Sequence, residues 1–175
     1  ADKEICRLSG VDILFFPTAD DVYGVDEASV LAPKVRGFVL EGATRPSHFN
    51  GVLTVVMKLL NIVSPTRAYF GKKDAQQLLL IESMVREFFM SVKIVAVDTV
   101  RQKDGLALSS RNVYLDAQEQ VEALKIPLSL RAASAVVSRG NFNAKAIKQA
   151  ALEALSGLDV CYVEVLDRRL GVVET

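Results

Sequence analysis

Three polar clusters interrupt an otherwise apolar chain, at residues 45–48, 71–77 and 109–112. Lys73 and Arg111 bring two positive charges to them, and Ser109 and Ser110 bring two hydroxyl donors. Such a set suits the oxygens of a polyphosphate and the charge that develops as a phosphoryl group changes partners. Lys72 and Lys73 stand just ahead of apolar residues at helical spacing, Leu78, Ile81, Met84, Val85 and Phe88. The positive end of a helix disfavours each exposed cation by about 0.3–1 kcal/mol. A bound anion would offset that penalty. The local pattern leaves two readings open, phosphate binding or a solvated lysine pair. For Ser109 and Ser110 the alternative is a loop whose hydroxyls cap their own backbone. His48 reads equally well as a structural histidine, and Gln76 and Gln77 as helix-surface residues unless one faces a cleft. The chain has no Gly-x-x-x-x-Gly-Lys-Ser loop and no Gly-x-Gly-x-x-Gly, so P-loop and dinucleotide readings fail.

The elements that must position these clusters read as α/β. Residues 67–70 have strand character and residues 75–89 helical spacing, with Gly71 as the joint between them and Asp74 as the N-cap. Residues 92–97 are rich in β-branched side chains and read as a second buried strand. A helix is expected over 52–63, with Val52, Val55, Val56, Leu59, Leu60 and Val63 on its apolar face. Short strands are expected at 11–16 and 35–40, and a loop at 41–51. Strand and helix alternating in this order predict a parallel sheet with its ligand side at the strand ends. A helical tail at 2–8 feeding at once into a strand suggests that further sheet precedes it.

Beyond residue 97 the periodicity lapses, and Asp104-Gly105 marks a turn. Helices follow at 117–138, interrupted at Pro127, and at 143–155 behind an Asn143 cap with Gly157 past its end. Residues 160–166 read as a strand. We place a domain boundary near 112–116, giving an α/β domain over 1–113 and a small α+β domain over 114–175.

Composition narrows the function classes. With 21 basic and 21 acidic residues among 175, nothing in the charge balance points to a general polyanion-binding protein, so nucleic acid is not an expected partner. No apolar run approaches the ~20 residues of a membrane helix. Cys6 and Cys161 are isolated among apolar neighbours and read as buried reduced thiols, as in a cytoplasmic protein. With one histidine and no cysteine pair, a protein-held metal is not expected.

The motifs in register carry a resemblance. Leu40-Glu41-Gly42, Arg45-Pro46-Ser47-His48-Phe49-Asn50-Gly51, Ala68-Tyr69-Phe70-Gly71-Lys72-Lys73-Asp74-Ala75-Gln76-Gln77, and Asp104-Gly105-Leu106-Ala107-Leu108-Ser109-Ser110-Arg111-Asn112 resemble the bacterial pantothenate synthetase (pantoate–beta-alanine ligase) family. The resemblance implies an incomplete Rossmann-like, nucleotidyltransferase-type sheet domain followed by the small C-terminal domain, in a cytoplasmic homodimer. It implies a ligase of pantothenate biosynthesis that uses ATP and Mg²⁺ to make pantoyl adenylate, which beta-alanine then attacks. ATP contacts are implied for Gly71, Lys72, Lys73, Asp74, Val100, Leu108, Ser109, Ser110 and Arg111. Of these, Lys73, Ser109, Ser110 and Arg111 would act in catalysis. Pantoate contacts are implied for Gln77 and His48, with Ser47 standing where the family usually has glycine. The family's His-x-Gly-His segment and its upstream glutamine have no counterpart here. The expectation is therefore a chain that does not adenylate pantoate alone and that associates through an unpaired sheet edge. A different nucleotidyltransferase-superfamily enzyme, or a non-catalytic nucleotide-binding fragment, is the alternative.

Overall fold

The parallel pairing of two short strands organises the molecule. The computed structural model describes residues 2–173. Its regular elements are α1 (Asp2–Leu8), α2 (Ala19–Val22), α3 (Glu41–Thr44), α4 (His48–Val63), β1 (Arg67–Gly71), α5 (Ala75–Glu87), β2 (Lys93–Val97), α6 (Ala117–Ala123), α7 (Lys125–Ser138) and α8 (Ala144–Ala154), with 3₁₀ turns at Lys72–Asp74 and Ser110–Tyr114. β1 pairs with β2 in parallel, from Arg67 opposite Lys93 to Gly71 opposite Val97, and α5 is the crossover between them. A parallel pair requires such a crossover, because a tight hairpin cannot return the chain in the same direction. The expected α/β character is present.

The core is built by α4, α5 and the inner face of the strands. Phe49, Leu53 and Leu60 of α4 pack with Leu80, Ile81, Met84 and Val85 of α5, and Ala68, Phe70 and Ile94 lean on this cluster. Ile81 and Leu80 are at most 1% exposed. The α5 spacing anticipates Leu78, Ile81, Met84 and Val85 as buried, but Phe88 lies past the helix end and is exposed. In α4 the buried stripe runs through Phe49, Leu53 and Leu60 rather than through Val55, Leu59 and Val63. Apolar residues stand on more than one face of that helix, so spacing alone does not say which stripe meets α5.

Several expected elements are absent. Residues 11–16 form no strand and their large side chains are exposed, Ile13 by 86%. An apolar run becomes a strand only beside a partner for its N–H and C=O groups, and none of the described strands runs alongside it. Residues 35–40 form turns, because Gly37 N–H donates to Pro33, Phe38 N–H to Val35 and Gly42 N–H to Val39, all between near neighbours in sequence. The loop expected over 41–51 instead holds α3 and the first turn of α4. At 160–166 only an isolated antiparallel bridge forms, Leu166 with Val172. Both thiols depart from expectation, Cys161 being exposed and Cys6 half-buried.

The C-terminal helices follow the sequence more closely. The helix is interrupted at Leu124, between α6 and α7, and Pro127 falls in the first turn of α7, where a missing N–H is tolerated. Asn143 caps α8 by accepting from Ala146 N–H at 3.0 Å, and Gly157 takes φ +84° past its end. α8 contributes buried Ala144 and Ala151, followed by buried Leu155, apart from the α4–α5 core. No helix of the described residues is long and apolar enough to cross a membrane.

Candidate active site

The start of α5 lies between two adjoining cavities. One, of about 350 Å³, is lined by Glu41, Arg45 and His48 from the 41–48 segment, by Lys73, Asp74, Gln76 and Gln77, and by Arg111 and Tyr162 from the later chain. The other, of about 560 Å³, shares Lys73 and Ala75 with it and adds Lys72, Arg101, Ser109 and Asn112. An apolar wall of Leu106, Ile126, Pro127 and Leu130 closes its far side. Lys73 therefore borders both spaces.

Local structure explains the placement. β1 ends at Gly71 and the Lys72–Asp74 turn starts α5, so the side chains at this corner fan out at the strand's C-terminal end. Asp74 occupies the expected cap position, but its carboxylate makes no capping hydrogen bond. It stands 3.4 Å from Lys73 Nζ instead. Gly71 has ordinary φ −74° and open space where a side chain would begin. Glycine freedom is thus not needed for the turn, and the backbone is left approachable. Lys72 turns away from the first cavity to pair with Asp98 at 2.5 Å, which holds that carboxyl below its usual range. Lys73 has no carboxylate partner nearer than its neighbour Asp74 among the described residues.

Arg111 arrives through a braced hairpin. Arg101 and Ala107 form an antiparallel bridge, Asp104 accepts from Leu106 N–H at 3.0 Å, and Gly105 takes φ +100° at the turn. Gly105 is packed beside Pro127 and Arg131, which ties the hairpin to α7. Ser109 then caps the following 3₁₀ turn, its Oγ accepting from Arg111 N–H at 3.2 Å. The self-capping alternative for this serine is thus realised while the residue also lines the larger cavity. Of the remaining expected site residues, Val100 and Leu108 are exposed just outside the Arg101–Ala107 bridge and Ser110 is exposed on the turn. These three border neither cavity.

His48 begins α4, half-buried with its ring 5.0 Å from that of Phe49, and it lines the smaller cavity with Gln77. Ser47 ahead of it holds φ +64°, the left-handed region that a glycine occupies without steric penalty.

Gln76 is the residue that sequence reasoning missed. It is buried, and its amide makes three hydrogen bonds to the 36–41 segment: Nε2 donates to the carbonyls of Arg36 and Val39 at 2.9 and 2.8 Å, and Oε1 accepts from Glu41 N–H at 3.2 Å. The polar glutamine breaking the apolar stripe of α5 was the available signal. Tyr162 and Glu41 also went unread as a pair. Their side chains meet at 3.5 Å across 121 positions of sequence, and burial together with the Glu41 carboxylate pushes the Tyr162 hydroxyl's pKa up.

The arrangement can hold oxyanions. Lys73, Arg45 and Arg111 are set against Glu41 and Asp74 around the smaller cavity, with amide and imidazole groups between them. Among the described residues no three His, Cys, Asp or Glu side chains cluster to hold a metal by themselves. Mg²⁺ does not need such a cage, since it is commonly bound by one or two carboxylates and substrate phosphates. The Asp74 carboxylate beside Lys73 suits that mode.

Comparison with known proteins gives this geometry a family. Residues 1–172 match the family described as Pantoate-beta-alanine ligase. The chain is 67% identical to a pantothenate synthetase from Sulfurimonas denitrificans over 96% of its own length and 62% of the relative's. It is 54% identical to one from Wolinella succinogenes, covering 99% and 64%. It thus spans a little under two thirds of these curated relatives. Among solved structures, a pantothenate synthetase from Thermus thermophilus superposes with TM-score 0.93 at 38% identity, covering 99% of this chain and 64% of that one. A Francisella tularensis pantoate-beta-alanine ligase, complexed with beta-gamma ATP and beta-alanine, matches with TM-score 0.76 at 35% identity over 95% and 61%. This chain belongs to the pantoate-beta-alanine ligase family.

Proposed function

We propose that this chain carries the ATP and pantoate sites of an AMP-forming ligase that joins pantoate to beta-alanine. The observation that carries this is the shared position of Lys73 between two cavities, with Arg111, His48 and Gln77 around one and Ser109 in the other. The larger cavity suits a nucleotide, its apolar wall against the base and Lys72, Lys73 and Ser109 toward the phosphates. The smaller suits a short hydroxy acid, with Gln77 and His48 as hydrogen-bonding groups, and with Lys73 and Arg111 in its lining for the phosphate that the acid must meet. Gly71, Asp74, Val100, Leu108 and Ser110 belong to the ATP side by family resemblance.

The chemistry follows from the charges. A pantoate carboxylate oxygen attacks the α-phosphorus of ATP, and the bond to pyrophosphate breaks. Lys73 and Arg111 stabilise the charge that gathers on the phosphates, acting from fixed positions that need no reorganisation. The amine of beta-alanine then attacks the acyl carbon, AMP leaves, and the amine gives up a proton. Mg²⁺, when bound, neutralises phosphate charge, and Asp74 is the residue placed to help hold it. The hairpin over 98–112 shields the anhydride from water. A division into domains 1–113 and 114–175, a homodimer and a cytoplasmic location belong to the same proposal.

Calorimetric titration of the purified chain with ATP and with pantoate tests it. Binding of both is expected, with Lys73→Ala weakening ATP and Gln77→Ala weakening pantoate. Failure of either ligand to bind, or indifference to these substitutions, would overturn the assignment. In a chain of the relatives' full length carrying these residues, pantoate-dependent pyrophosphate release without beta-alanine should stop after a single acyl adenylate per site.

A further inference from the structure

A third cavity, of about 510 Å³, lies toward the C-terminal end of α5 and is lined by Arg36, Leu79, Glu82, Arg86, Arg168 and Arg169. Three separate segments deliver its four guanidinium groups. Arg36 comes from the 33–38 turns, whose carbonyl at Arg36 is held by Gln76 at 2.9 Å. Arg86 shares one stripe of α5 with Leu79 and Glu82, at helical spacing. Arg168 and Arg169 sit on a tight turn fixed by Asp167, whose Oδ1 accepts from Arg169 N–H at 2.7 Å and Gly171 N–H at 2.8 Å. Leu170 in that turn holds φ +61°, so the turn is specified by more than one constraint.

Charge in this cavity does not balance. The lining holds four arginines and one carboxylate, Glu82, and the other carboxylates beside it among the described residues are Glu87 and Asp167, the pKa of the latter lowered in part by the charge of Arg169. One Glu87 oxygen takes Arg36 at 3.4 Å and Arg86 at 3.1 Å, which orients these two guanidiniums and leaves most of their donors unused. Among the described residues, the Arg168 and Arg169 side chains make no ion pair and no hydrogen bond. Like charges gathered this way repel unless an anion lies between them. Planar guanidiniums offer paired donors that match phosphate oxygens.

We propose that the cavity formed by Arg36, Arg86, Arg168 and Arg169 is a second anion site, taking a small phosphate-bearing molecule. It uses none of the residues assigned to ligation, and Arg86 lies about 15 Å along α5 from Gln76 at 1.5 Å rise per residue. A molecule held there is therefore separate from the nucleotide proposed at the start of the helix.

The test is calorimetry on the Lys73→Ala/Arg111→Ala chain, which weakens phosphate binding at the first two cavities. Inorganic pyrophosphate and ADP serve as separate probes. One anion per chain is expected to bind, and adding Arg168→Ala/Arg169→Ala should weaken it roughly tenfold or more, with Arg168→Lys/Arg169→Lys recovering part. Equal affinity for the probes assigns a free phosphate oxyanion, and preference for ADP assigns a nucleotide. If the double alanine chain fails to fold by circular dichroism, Arg36→Lys takes its place with the same expected direction. Absence of binding, an unchanged affinity in the arginine variants, or an equal loss from the remote control Lys103→Ala would overturn the proposal. Tighter binding of an acidic peptide than of either probe would also overturn it, marking the patch as a protein contact.

Discussion

Gln76 and Glu41 are joined directly, the buried amide oxygen of one accepting the backbone N–H of the other at 3.2 Å. With its two donated bonds to Arg36 and Val39, this side chain fixes the whole approach to α3 against the start of α5. Glu41, Arg45 and His48 all reach the smaller cavity from that segment. A buried amide is thus the fastener between two walls of one site.

Gln76→Leu roughly keeps the volume and removes the partner of the Glu41 N–H and the Arg36 carbonyl, while the Val39 carbonyl keeps the Gly42 N–H. Each buried group so stranded costs on the order of 1–3 kcal/mol, reduced where water reaches it. We expect a stability loss of about 2–4 kcal/mol in chemical denaturation, together with weaker pantoate binding. Unchanged stability would show that the segment is held by something else.

Lys73 and Lys72 are neighbours in sequence and differ in surroundings. Lys73 borders both cavities, whereas Lys72 reaches only the larger one and is paired with Asp98. Lys73→Ala should weaken ATP binding strongly, by about tenfold to a hundredfold as expected for a lost charge-assisted contact. Lys72→Ala should weaken it less. Equal losses in a titration would contradict the assignment.

Two backbone positions in the 41–48 segment should respond in opposite directions. Gly42 packs its Cα hydrogens onto the Gly37 carbonyl, so a Cβ there collides with backbone that cannot swing aside. Gly42→Ala is expected to destabilise by roughly 1–3 kcal/mol. Ser47 is strained by its φ of +64°, and Ser47→Gly should raise stability by up to about 1 kcal/mol. Thermal unfolding of both variants checks the pair.

The Ser83 hydroxyl, donating to Glu87, followed by Arg36 and Arg86, holds the Glu87 carboxyl below its ordinary value of 4.5. A lowered folded-state pKa contributes stability that is fully present above the unfolded value and lost as pH falls through the folded one. Stability attributable to Glu87 should therefore hold above about pH 4.5 and decline below it. Glu87→Gln should flatten that acid limb and leave its other part intact. An unchanged slope in denaturation series between neutral and acid pH would exclude the role.

The β1–α5–β2 unit and α8 were legible because each carries its own signals: β-branched runs, apolar side chains at helical spacing, an Asn cap and a following glycine. The strands expected at 11–16, 35–40 and 160–166 were not, because an apolar run looks the same whether or not a neighbouring strand takes up its backbone. The same limit hid which stripe of α4 is buried.

For the site, residue type marked Lys73, Arg111, Ser109 and Ser110 as groups suited to phosphate oxygens, while His48 and Gln77 entered only through the family resemblance. Tertiary structure alone decided that Lys73 stands between two cavities, that Gln76 faces inward, and that Tyr162 reaches Glu41. Side-chain chemistry is local and written in the sequence, whereas convergence depends on how separate segments pack. Packing is settled by the sum of many weak contacts that no single motif contains.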